Sequence, residues 1–206
     1  MYSLPMAIVD FIPVIFFGMT IFLLQKDLYN KMSKGAYALF CAGTIDVFLA
    51  GVLKALYKIL YAANICDFER LNAIFFPLQA IGFLMAGGSM LCMMFLNQIS
   101  NKTLALAPIA FSGTMIFVSL IILGLLGMDI SLIIISRMLK KNKIIILFVI
   151  SFFFSLAMGY LSSKDFTRSY MNWIGEIVNI IAQASLYFGV KCLDINGLMD
   201  LKIKES

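Results

Sequence analysis

The chain has 206 residues, 62% of them hydrophobic and only 13% charged, with a mean hydropathy of +0.99. Soluble domains run near roughly 45–50% apolar and about 25% charged, so this composition excludes a soluble globular domain and points to an integral membrane protein. The net charge of +5 comes from lysines and arginines between apolar stretches, where it records orientation, and no basic domain exists to hold nucleic acid.

There is no histidine, and Cys41, Cys66, Cys92 and Cys192 show no CxxC spacing. The commonest metal ligand and general base is therefore missing, and neither a metal nor any other cofactor is expected. The apolar runs are too long for barrel strands, which alternate over about 10 residues, but suit helices of about 20 residues. The expected fold is an all-α, polytopic helical bundle forming a single transmembrane domain over residues 1–206.

The first run, Met6–Leu24, lacks a basic flank and a small-residue cleavage site, so it reads as a retained helix beginning from Met1 rather than a signal peptide. Further spans are expected at Ala36–Ala62, Ala73–Leu96, Ile144–Leu161 and Tyr170–Leu193. Between them Leu104–Leu139 is apolar throughout, and at about 1.5 Å per residue it is far longer than a bilayer is thick. It is either one span with an extension or two spans joined near Gly127-Met128-Asp129.

Charge decides between the two counts. Lys26, Lys31 and Lys34 form one basic loop, and Arg137, Lys140, Lys141 and Lys143 another; both belong on the cytoplasmic side. Seven spans satisfy this with the N-terminus outside and the C-terminus cytoplasmic, whereas six would place the second loop outside. Seven are expected, with a short fifth span at about Met128–Lys141. The plasma membrane is the expected location. Pro-x4-Gly recurs at Pro13/Gly18, Pro77/Gly82 and Pro108/Gly113, a spacing too common in a chain with fourteen glycines to establish a repeat.

The stretch NWIGEIVNIIAQ places Asn172, Glu176, Asn179 and Gln183 inside the last span. At about 100° per residue the four fall within about 60° of one another, a stripe that cannot face lipid. Asp10, Asp46, Lys54 and Gln79 lie on other spans at a similar depth under the seven-span topology. Together the eight residues are the candidate ligand-binding set. Lys58 lies near enough to the outer surface to snorkel, and a static Glu176–Lys54 ion pair or interhelical amide hydrogen bonds are the structural alternatives. Pro13 and Pro77 free backbone carbonyls beside Asp10 and Gln79.

These residues point to a protein that binds and transports a small polar or zwitterionic solute through an outer-half intramembrane cavity. Its expected partners are the lipid bilayer and that solute, with a membrane-protein partner or a second copy as a further option. One alternative is a lipid-active enzyme using Asp46 and Glu176 as an acid/base pair. The stretches LFVISFFFSLAMGYL and VNIIAQASLYFGV resemble the last helices of lysoplasmalogenase-type membrane hydrolases, although the aspartate that family carries has no counterpart in Phe148–Leu156. Another alternative is an accessory or sensor subunit whose polar stripe faces another protein.

Overall fold

The computed structural model describes residues 3–95, 114–161 and 169–203. Eight α-helices follow in order: α1 Leu4–Val9, α2 Phe11–Leu28, α3 Lys34–Ala62, α4 Glu69–Ala73, α5 Phe75–Phe95, α6 Thr114–Met138, α7 Ile145–Leu161 and α8 Ser169–Ile195. Single 3-10 turns lie at Asn142–Ile144 and Leu198–Asp200, and no strand occurs among the described residues. Among the described residues six helical stretches are long and apolar enough to cross a membrane, with α1 and α2 forming one of them and α4 and α5 another.

The bundle has the polarity expected in lipid. Large apolar side chains such as Ile8, Phe22, Leu123, Phe153 and Phe188 point outward, while Asp10, Asp27, Lys58, Asp129 and Glu176 are buried. Most of the buried hydroxyls are satisfied locally: Thr20, Thr44, Ser89, Ser131 and Ser136 each donate to the carbonyl four residues earlier. Such back-bonding leaves the helix intact and needs no outside partner.

Packing contacts run around a ring in the order α2, α3, α5, α6, α7, α8, with α8 closing against α2. Phe17 of α2 meets Phe83 of α5 across the middle. Helix directions follow from which residues touch. Gly43 of α3 abuts Gly82 and Ala86 of α5, while Lys54 lies over Phe75, so these two helices are antiparallel. Between α5 and α6 the order reverses: Gly124 meets Phe83, and Gly127, one turn further on, meets Leu91. Contacts that advance together on both helices mean parallel packing.

Because α5 and α6 run the same way, Phe95 and Thr114 lie at opposite ends of the bundle. The C-terminal ends of α2 and α8 also share a level, joined by Lys26 and Asp194 at 2.7 Å. The ring therefore consists of two three-helix units, α2-α3-α5 and α6-α7-α8. Each unit has the same up-down-up order, and they meet along two parallel seams.

The short fifth span at Met128–Lys141 is corrected by the continuous helix α6, which runs through the expected join at Gly127-Met128-Asp129 without a break. The glycines there serve close approach rather than a turn: an added Cβ would strike α5 at Gly124 and crowd it at Gly127, and Leu125, Met128 and Leu132 beside them lie in the core. The chain leaves the helix only at Lys140, which adopts a left-handed φ of 57°. The N-terminal part of the Leu104–Leu139 segment, together with the Pro108/Gly113 pair, lies outside the described residues.

Candidate functional site

Two helices are interrupted where polar groups gather. The first span breaks at Asp10, whose N–H donates to the carbonyl of Met6 at 3.1 Å before α2 restarts at Phe11. Pro13 has no N–H, so the carbonyl of Val9 loses its helical donor. The third span breaks in the same way at Ile74, between α4 and α5, with Pro77 depriving the carbonyl of Ala73.

At this level Lys58 of α3 holds two carboxylates. Its Nζ lies 3.0 Å from Oδ2 of Asp10, between α1 and α2, and 2.6 Å from Glu176 Oε1 of α8. All three side chains are buried. The triad ties three helices together with charge-assisted hydrogen bonds, which are short and strong in a medium that excludes water. The second Glu176 oxygen, Oε2, has no hydrogen-bond partner among the described residues.

Beside the triad, toward the middle of the bundle, lies a polar cavity of about 60 Å³. Asp10, Lys54, Gln79, Asn179 and Gln183 line it, along with the apolar Val14, Phe17, Val47 and Phe48. Lys54 makes no ion pair among the described residues; its ammonium rests 3.8 Å above the ring of Phe75 as a cation–π contact. Gln183 Oε1 is buried with no hydrogen-bond partner among the described residues. The cavity thus carries an ammonium and an amide oxygen with capacity to spare, and it is large enough for a few waters or a compact polar group.

Five of the eight sequence candidates line this cavity: Asp10, Lys54, Gln79, Asn179 and Gln183. Glu176 and Asn172 are buried on the same α8 stripe, Glu176 in the triad and neither of them on the cavity wall. Asp46 stands apart, since it lies on α3 about 100° around from Val47, Gly51 and Lys54, which do face the cavity. It is half-buried and lines no wall of the cavity.

Two expectations about lysines change. Lys58 does not snorkel outward but turns in, because two carboxylates within reach outweigh hydration at the surface. Glu176 pairs with Lys58 rather than with Lys54, which lies one turn further from the C-terminal end of α3. The signal for Lys58 was its place on one stripe with Val47, Gly51 and Lys54, at intervals of three and four residues.

Two buried acids escaped the candidate set. Asp129 lies in the middle of α6 with Oδ1 unpartnered among the described residues, where its neighbouring glycines had suggested a turn. Asp27 sits at the opposite end of the bundle with its Oδ1 3.4 Å from Lys26 Nζ. There Lys26 bridges to Asp194 of α8, and Lys31 donates to the carbonyls of Met199 and Leu201 at 2.9 and 2.7 Å. Burial against this turn draws the Lys31 ammonium below its usual range, with the nearby carboxylates of Asp27 and Asp200 opposing the shift. Leu198 is fully buried beneath it. The helices of the ring's closing seam, α2 and α8, are therefore tied by ions at both ends.

No group of three or more metal-ligating side chains occurs among the described residues, and the cysteines there are unpaired. Compared with known protein families, curated proteins and solved structures, the chain matches none of them.

Proposed function

We propose that this protein binds a small solute by its polar group in the cavity between α2, α3, α5 and α8, and carries it across the membrane. The observation behind this reading is the convergence of Asp10, Lys54, Gln79, Asn179 and Gln183 from four helices on one cavity, at a level where two spans are broken. Interrupted helices beside a mid-bundle polar site are a recurring feature of transporters, because freed carbonyls and helix ends supply ligand groups there. Interhelical glue would leave each polar atom paired. The unpartnered Gln183 oxygen and the lone Lys54 ammonium argue for a ligand instead.

Seven crossings and an outside N-terminus belong to the same proposal. The parallel packing of α5 and α6 supports seven, since the chain between Phe95 and Thr114 joins opposite ends of the bundle. The basic groups support the orientation: Lys26, Lys31 and Lys34 share an end with Lys140, Lys141, Lys143 and the C-terminal turn, and that end is assigned to the cytoplasm. Residence in the plasma membrane follows as part of the same reading. The acid/base alternative loses support because Asp46 lies off the cavity that Asp10 and Gln183 share.

A thermal-shift screen of the detergent-purified protein against amino acids, nucleosides, sugars, carboxylic acids and cations, run alongside Gln183→Leu, tests the reading. Gln183→Leu is expected to melt at or above the wild-type temperature without ligand, because it removes an unsatisfied buried acceptor, and to lose the ligand-induced shift. A drop in its unliganded melting temperature, with no solute stabilising the wild type, would instead assign the stripe to helix packing.

A further inference from the structure

The polar cavity is much smaller than a whole solute requires. Small-molecule sites usually enclose about 300–1,000 Å³, against about 60 Å³ here. Directly beside it, on the lipid side of the α2/α3 seam, runs an apolar groove of about 620 Å³. The two volumes share Val14 and Phe48 as a common wall. Ile15, Met19 and Phe22 line one side of the groove, and Val52 lines the other.

The shared wall is thin for a structural reason. Phe48 of α3 rests against Gly18 of α2, and Val14 of α2 against Gly51 of α3. Each helix thus presents a glycine where its neighbour presents a side chain, and those two side chains line groove and cavity alike. On α2 the groove extends from Phe11 to Leu23, a rise of about 18 Å. One leaflet holds about 15 Å of hydrocarbon, half of the bilayer's roughly 30 Å.

We infer that the site takes a single-chain amphiphile whose compact anionic head, a carboxylate, sits against Lys54 while its alkyl chain lies in the α2/α3 groove. The inference rests on reading the cavity as a solute site and names the class of solute. Charge selects the head. Lys58 occupies the carboxylates of Asp10 and Glu176, so Lys54, held only by aromatic rings, is the cation with coordination to offer. Asn179 and Gln79 add amide donors on the same cavity, the Asp10 carboxylate on its wall is neutralised by Lys58, and a water donating to both the Gln183 oxygen and the head would satisfy the two acceptors. Size excludes a bulky zwitterionic headgroup, and the groove's depth suits one acyl chain entering sideways from the leaflet rather than from water.

The test is equilibrium binding of tritiated palmitate to the full chain in phosphatidylcholine nanodiscs, with unlabelled palmitate, hexadecanol and butyrate as competitors. Palmitate is expected to displace the label at least tenfold better than either of the others. Lys54→Gln and Met19→Trp, the latter filling the groove from its lipid-facing side, are each expected to weaken binding at least tenfold without lowering the melting temperature.

Butyrate competing as well as palmitate would overturn the inference while leaving the cavity as a solute site. Equal competition by hexadecanol, or binding unchanged in Lys54→Gln, would overturn it by reducing the groove to an apolar surface. Absence of displaceable palmitate binding would also overturn it, and the polar-solute screen would then judge the cavity alone.

Discussion

The two parallel seams that join the three-helix units are built on opposite principles. Along α5 and α6 the backbones touch: Gly87 faces Gly124, and Gly127 packs on Gly87 and Leu91. Along α2 and α8 contact is made by ions and rings, with the Lys58 triad at one end, Lys26–Asp194 at the other and Phe16 against Tyr187 and Phe188 between them. Without a hydrophobic drive between helices in lipid, backbone approach through small residues maximises dispersion and makes a seam difficult to reopen. Ion pairs depend instead on every partner being present, since a buried charge left alone is strongly destabilising. The contrast makes α5/α6 a close-packed spine and α2/α8, beside the polar cavity, a seam held by charge and rings.

Breaking the triad gives the largest expected effect. Lys58→Met would leave Asp10 and Glu176 buried together without a cation, a loss of about 3–5 kcal/mol, visible as a large fall in melting temperature in detergent. Adding Asp10→Asn and Glu176→Gln to Lys58→Met should recover most of that loss. If the triple variant stays as unstable as the single one, the triad is not an electrostatic unit.

The spine is tested next. Gly124→Val would force a side chain into the Phe83 backbone, and overpacking of this kind costs about 1–3 kcal/mol. Gly88 offers the internal control, since a Cβ there meets nothing within 4 Å; Gly88→Ala should leave stability unchanged or slightly raised. Equal effects at the two positions would remove the basis for calling α5/α6 a close-packed spine.

The smallest effect is expected at the basic end. Lys26 and Asp194 are partly exposed, so Asp194→Asn should weaken the seam slightly, less than Gly124→Val, and only at low ionic strength. A salt-independent loss would mean that Asp194 is held by burial rather than by Lys26.

Much of the architecture was legible because lipid imposes simple rules on sequence. Length and hydropathy located five of the spans to within a few residues but split the continuous α6, and the stripe from Asn172 to Gln183 announced its inward face, since four polar groups within about 60° cannot face hydrocarbon. The sharing of one end by Lys31, Lys143 and the C-terminal turn likewise followed from loop charge. Such properties belong to single helices or single loops, so local sequence contains them.

Pairing did not belong to any single helix. That Lys58 rather than Lys54 receives Asp10 and Glu176, that Asp46 turns away from the cavity, and that Gly124 and Gly127 sit inside a continuous helix all depend on which helices become neighbours and at what rotation. One turn moves a side chain by about 5.4 Å along the helix axis, which is enough to make or lose an ion pair, and neighbouring helices set that register. Composition and periodicity determined a membrane bundle with a polar interior. Only tertiary packing decided which polar groups satisfy one another and which, Lys54 and Gln183 foremost, are left facing a cavity.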